Sequence, residues 1–191
     1  MKKKLISRLM QERVDGIKSH DGYFFRTDFD HILQGVLLDY VPRGLYLTNF
    51  RFPLFDPVGP NLLYSNRTPG SGFVGKDDLT EEQLVEHVLA VPELRGSLLT
   101  DPPIGLNEFI DYLPKLQNEH ARFMHAATLT LLRQDEEALR VAESIDPKKI
   151  HASQKGSYEL LLTSLKQGSS DALSFFDRVR EKNLSEFGLV E

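Results

Sequence analysis

Cysteine is absent from this chain of 191 residues. Disulfide staples, thiol nucleophiles and thiolate-ligated metals are therefore excluded, and the absence accords with a reducing cytoplasm. No apolar run approaches the ~18–20 residues of a membrane-crossing helix, so no spanning segment and no membrane partner are expected. The opening stretch, Met1-Lys2-Lys3-Lys4-Leu5-Ile6-Ser7-Arg8-Leu9-Met10, has a basic head without the ~7–15-residue apolar stretch of a secretion signal. Glu12 and Asp15 add the acids that transit peptides lack. Cytoplasmic location is the expectation.

A basic nucleic-acid face is also missing. Residues 1–76 carry 11 Lys/Arg against 7 Asp/Glu, whereas residues 77–191 carry 12 against 21. The early surplus sits mainly in Lys2, Lys3, Lys4, Arg8, Arg13 and Lys18, outside the aromatic-rich stretch. Eleven of the eighteen aromatics fall between Tyr23 and Phe73, where the charge is close to balanced. Stacking aromatics without basic neighbours read first as a sheet core, and as a binding face only second. The chain is long enough to bury about 70% of its unfolded surface, which suffices for a core without staples.

What is present divides into two styles. Residues 3–19 show helical spacing, with Leu5, Leu9 and Ile17 near one face and Asp21-Gly22 ending it. Residues 23–27 read as a strand, and residues 31–40 and 45–55 as a hairpin around Val41-Pro42-Arg43-Gly44. In its second arm Tyr46, Thr48, Phe50, Phe52 and Leu54 alternate onto one face. Leu47, Asn49 and Arg51 take the other, which is expected to be wet. A short strand at Leu62-Leu63-Tyr64 is expected inside an otherwise long loop over 56–79.

From residue 80 the pattern is helical. Thr80 with Gln83 forms a capping-box signature, and further helices are expected near 105–113, 118–133, 135–145, 153–166 and after Gly168-Ser169-Ser170. Pro114 should break the one near 105–113. The expected architecture is α+β in a single domain over 1–191. A helix and a small antiparallel sheet occupy 1–76, packed with an array of helical hairpins over 77–191.

Four motifs bear on chemistry. Gly70-Ser71-Gly72-Phe73-Val74-Gly75-Lys76 matches the front of a phosphate-binding loop, yet Asp77 and Asp78 stand where a hydroxyl should hold magnesium. It reads as a mobile glycine loop. His20, Asp28, Asp30 and His31 offer metal-ligand chemistry, but alternation on a strand turns His31 away from the two aspartates. Glu119-His120 with His125 lacks the four-residue histidine spacing of a zinc helix, so helix contacts or solvent are expected. Ser71 is flanked by Gly70 and Gly72, but Pro69 and Phe73 stand where a nucleophile elbow needs its glycines.

The run Ala127-Thr128-Leu129-Thr130-Leu131-Leu132-Arg133-Gln134-Asp135-Glu136-Glu137-Ala138-Leu139, followed by Asp146-Pro147, resembles part of a tetratricopeptide-type helix pair. Gln134 replaces the usual turn glycine, the second helix is about a turn short, and no repeat recurs, so the likeness implies helix-pair packing alone.

These features point to a cytoplasmic, non-enzymatic protein-interaction module of adaptor or inhibitor type. No cofactor is implied, and Glu136, Glu137 and Glu143 form an acidic face for a basic partner. The alternatives are a small metal-assisted hydrolase using His20, Asp28, Asp30 and His31, and an RNA-binding protein using Lys2, Lys3, Lys4 and the hairpin aromatics.

Overall fold

The computed structural model describes residues 1–68, 72–113 and 118–189. It is 52% helix and 19% strand, with the strands in the N-terminal half, which makes the fold α+β. The chain divides into two compact units. One comprises Met1–Phe52 and Asn61–Ile104; the other comprises Pro53–Pro60 and Gly105–Glu191. The helices just after residue 77 thus belong with the sheet, and eight residues from the aromatic-rich stretch belong with the later helices.

In the first unit, helix α1 (Lys3–Arg13) is shorter than its periodicity suggests. Val14 is already extended, and Gly16 takes a φ of +74° that a side chain would resist, so the chain turns there. Residues 17–19, expected as the end of that helix, instead belong to strand β1 (Ile17–His20). Asp21-Gly22, both at positive φ, makes the tight turn into β2 (Tyr23–Arg26) rather than a helix stop.

The hairpin follows as β3 (Ile32–Val41) and β4 (Gly44–Pro53), turning through Pro42-Arg43. Residues 62–64 form one 3-10 turn rather than a strand. The strand begins one residue later, as β5 (Ser65–Arg67), and β6 (Phe73–Gly75) lies where a glycine loop was expected. Both antiparallel partners lie along β4: Thr48 faces Arg67 and Tyr46 faces Phe73. Gly44 is required here, because a Cβ would strike the Val74 carbonyl. The sheet order is β1-β2-β3-β4-β5, with β6 also on β4.

The capping box forms as spaced. The Gln83 amide donates to Thr80 Oγ1 at 3.2 Å, the Thr80 amide donates to Gln83 Oε1 at 3.0 Å, and α2 (Glu81–Ala90) starts there. A short α3 (Pro92–Arg95) and a π-turn over Gly96–Thr100 complete the unit. Ile6 and Met10 of α1 share one buried cluster with Phe24, Val36, Leu38, Leu45, Leu47 and the α2 residues Leu84, Val85 and Val88. The β4 side expected to be wet therefore carries this core at its turn end. The opposite side is buried as well, at Phe50 and Phe52, each 2% exposed.

The second unit contains α4 (Leu106–Tyr112), α5 (Glu119–Leu131), α6 (Asp135–Glu143), α7 (Lys155–Gln167) and α8 (Ser170–Glu186). Consecutive helices pack as neighbours from α4 to α8. Gln134 is the cap residue of α6. Pro114, the expected helix breaker, lies outside the described residues.

Neighbouring positions on α1 make a test of this packing. Met10 is fully buried and Gln11 is exposed. Met10→Ala is expected to lower unfolding free energy by about 2–4 kcal/mol, and Gln11→Ala by under about 0.5 kcal/mol, in urea melts.

Candidate functional site

Strand alternation sends Tyr46 and Thr48 away from the α1 side that Leu45 and Leu47 occupy. The antiparallel register then adds Phe73 opposite Tyr46 and Arg67 opposite Thr48 on the same face. The Phe73 ring lies 5.1 Å from that of Tyr46 at 56°, and the Arg67 guanidinium carbon sits 4.0 Å from the Tyr46 centroid. Such cation–ring contacts contribute roughly 0.5–1 kcal/mol at exposed sites. An open cleft of about 480 Å³ runs beside them, lined by Val41, Pro42, Arg43, Tyr46 and Phe73.

Phe73 remains 46% exposed, which is unusual for a ring of its size. Arg43, Arg67 and Lys76 are exposed, and none makes an ion pair among the described residues. The face also carries Asp39, which together with the larger effect of burial pushes the Tyr23 phenol up.

The N-terminal lysines lie on the other side of the sheet. Lys3 Nζ stands 4.4 Å from the ring centroid of Tyr40, which packs with the α1 cluster and whose phenol burial pushes up to about 12. The Lys2 amide donates to Glu81 Oε1 at 2.8 Å, and this bond is the main reason the Glu81 carboxyl lies below its usual range. Lys2, Lys3, Lys4 and the Tyr46 aromatics therefore do not form one surface.

The four metal candidates are not gathered either. His20 sits at the β1–β2 turn beside Asp21, at 3.6 Å, while Asp28 follows the far end of β2, roughly 13 Å of strand away. Arg26 Nε donates to Asp28 Oδ1 at 2.7 Å, and a second contact reaches Oδ2; these bonds chiefly hold the Asp28 carboxyl low. His31 Nδ1 pairs with Asp30 Oδ2 at 2.8 Å. Among the described residues no group of three His, Asp or Glu is placed to hold a metal ion.

In the glycine string, Gly70 and Ser71 lie outside the described residues. Phe73-Val74-Gly75 is strand rather than loop, and Asp78 Oδ2 accepts from the Gly75 amide at 2.8 Å. On α6, Glu137 pairs with Arg140 and Glu143 with Lys166 at 3.5 Å, so two of the three acids expected to meet a partner already have cations; Glu136 is exposed.

Within the second unit, His120 joins a constellation that the sequence did not announce. Asp56 is wholly buried and its Oδ2 lies 2.9 Å from His120 Nε2. The Gln154 amide stands 2.8 Å from His120 Nδ1, so both imidazole nitrogens are engaged. The Val58 amide donates to Asp56 Oδ1 at 2.9 Å, and Asn183 Nδ2 donates to the Asp56 carbonyl at 2.9 Å. An Asp–His pair resembles catalytic machinery, but a general base needs a nitrogen within reach of the proton it takes. Here the second nitrogen is occupied by an amide, and the arrangement ties chain segments together.

Local spacing could not have assembled either group. Phe73 and Arg67 reach Tyr46 only through two strands that the glycine-rich composition hides, and Asp56 lies 64 residues from His120. Comparison with protein-family models, curated proteins and solved structures finds no match.

Removing the imidazole leaves a buried carboxylate short of a partner. His120→Ala is expected to lower stability by about 3 kcal/mol, and less once Asp56→Asn is also present. Chemical denaturation of the two single variants and the double variant measures this coupling, and additive losses would contradict it.

Proposed function

We propose that this chain is a cytoplasmic, non-enzymatic protein-interaction module of adaptor or inhibitor type, and that its contact surface is the Tyr46–Phe73 face. The observation that supports this most is the half-exposed Phe73 ring, backed by Tyr46 and flanked by arginines that make no ion pair among the described residues. Of the large hydrophobics exposed among the described residues, Val58, Leu63, Phe73 and Leu99, it alone is aromatic, and its ring packs tilted against that of Tyr46. Aromatic and arginine side chains are the types that dominate binding energy at protein interfaces. Strands hold the backbone of Tyr46, Phe73 and Arg67, so little backbone freedom is lost there when a partner docks.

The acidic face of α6 is the weaker candidate surface. Glu137 and Glu143 already answer cations of their own chain, and a basic partner would have to displace those contacts. The hydrolase and RNA alternatives each require side chains to converge that stand apart.

Phe73→Glu places a charge at the centre of the surface without disturbing the Val74 side that faces the core. Partners captured from native extract by the wild-type chain should be lost with Phe73→Glu and kept with Glu136→Lys. Equal capture by the wild-type chain and Phe73→Glu, with melting curves unchanged, would discard this surface.

A further inference from the structure

We infer that the Tyr46–Phe73 face accepts an extended acidic peptide, with carboxylates on both sides of an apolar anchor; this rests on the reading above that the face is a docking surface. Charge placement along β4 carries the inference. The registers Gly44 with Gly75, Tyr46 with Phe73 and Thr48 with Arg67 set three stations in a row.

At the turn end, exposed Arg43 lines the open cleft beside Tyr46 and Phe73 and supplies the first cation. The exposed Phe73 ring and the open cleft come next. Arg67 closes the row, and positions 43 to 48 span roughly 17 Å of strand, the length of five or six extended residues. The cations lack carboxylate partners among the described residues, and a partner supplying acids at both ends would meet them without breaking any ion pair of the chain. Asp39 lies on the same face towards β2, and Asp78 is held by the Gly75 amide, so the acidic segment would run along β4 towards β5 rather than across the sheet.

A nucleic acid is the less suitable polyanion. Single strands need open rings for successive bases, with a basic groove tracking the phosphates. One face of Tyr46 is already covered by Arg67, and the lysines that would extend the basic track lie on the α1 side.

The test is selection of displayed random peptides on the intact wild-type chain, the winners then being measured against an Arg43→Glu, Arg67→Glu double variant whose melting curve matches the wild type. The expected winners carry Asp or Glu on both sides of an aromatic or aliphatic residue. Such peptides should bind the double variant at least ~tenfold more weakly, and their Gln-substituted versions should lose a similar factor. Phe73→Ala should weaken the acidic peptides and the Gln versions alike.

Neutral winners that depend on Phe73 but ignore the arginines would overturn the acidic assignment and leave the docking surface standing. Winners indifferent to Phe73, or no enrichment together with unchanged partner capture by Phe73→Glu, would overturn both. No enrichment with partner capture still lost would overturn the peptide alone. Phe73-dependent binding of oligouridylate, tighter than any selected peptide, would assign the face to RNA, and a Phe73-dependent dimer in sedimentation would assign it to a second copy.

Discussion

One buried carboxylate organises the second unit. Asp56 has no exposed side-chain surface, and an ionised group there is tolerable only when its oxygens are answered. His120 of α5 and the Val58 amide meet its oxygens, Gln154 fixes the imidazole, and Asn183 of α8 reaches both the Leu54 carbonyl, at 2.7 Å, and the Asp56 carbonyl. Phe55 adds the apolar half of the same anchor. Its ring packs edge-on against Phe109 of α4 at 6.3 Å and Phe176 of α8 at 6.1 Å. Residues Pro53–Pro60 thus link three helices and the turn before α7. The helical array is not a contiguous C-terminal segment; it includes a piece of chain from between two strands.

This accounts for why the most enzyme-like pair in the chain reads as structural. A buried Asp–His contact becomes catalytic when the far nitrogen faces a nucleophile or a substrate. In this chain the far nitrogen faces Gln154, and the carboxylate also serves a backbone amide two residues on. The polar atoms are spent on holding the fold. Around Tyr46 the balance is reversed, with cations in solvent, a large ring half exposed, and backbone geometry fixed by strand pairing.

Legibility in the sequence followed the range of the interactions. The β3–β4 hairpin depends on Pro42-Arg43 and on alternation, both local, and the Thr80–Gln83 capping box needs only four residues; both formed as spaced. The α1 boundary was misjudged because apolar spacing continues through Ile17, although Gly16 at positive φ turns the chain. Ile17 is still buried, but from a strand. The β4 face carrying Leu47 looked wet because Asn49 and Arg51 share its alternation, whereas α1 covers only the end near the turn. β5 and β6 are hidden in a loop-like sequence because three-residue strands in a Gly- and Pro-rich stretch carry almost no periodic signal; their pairing with β4 comes from tertiary register. The Asp56–His120 contact joins residues far apart in sequence, and nothing at either position marks the other.

The exposed ring follows from the same topology. β6 reaches the sheet as a three-residue strand whose central residue, Val74, is buried, so alternation forces both neighbours to the opposite side. Gly75 is one neighbour and presents nothing; Phe73 is the other and must project. A polar residue there would leave less apolar surface in water but would lose the cross-strand ring contact with Tyr46. That contact covers only part of the Phe73 ring, which stays 46% exposed. Arg67 on the far side of Tyr46 is unnecessary for pairing β5, which its backbone performs. Strand register thus holds Phe73 and Arg67 beside Tyr46, and the proposed docking surface rests on that arrangement.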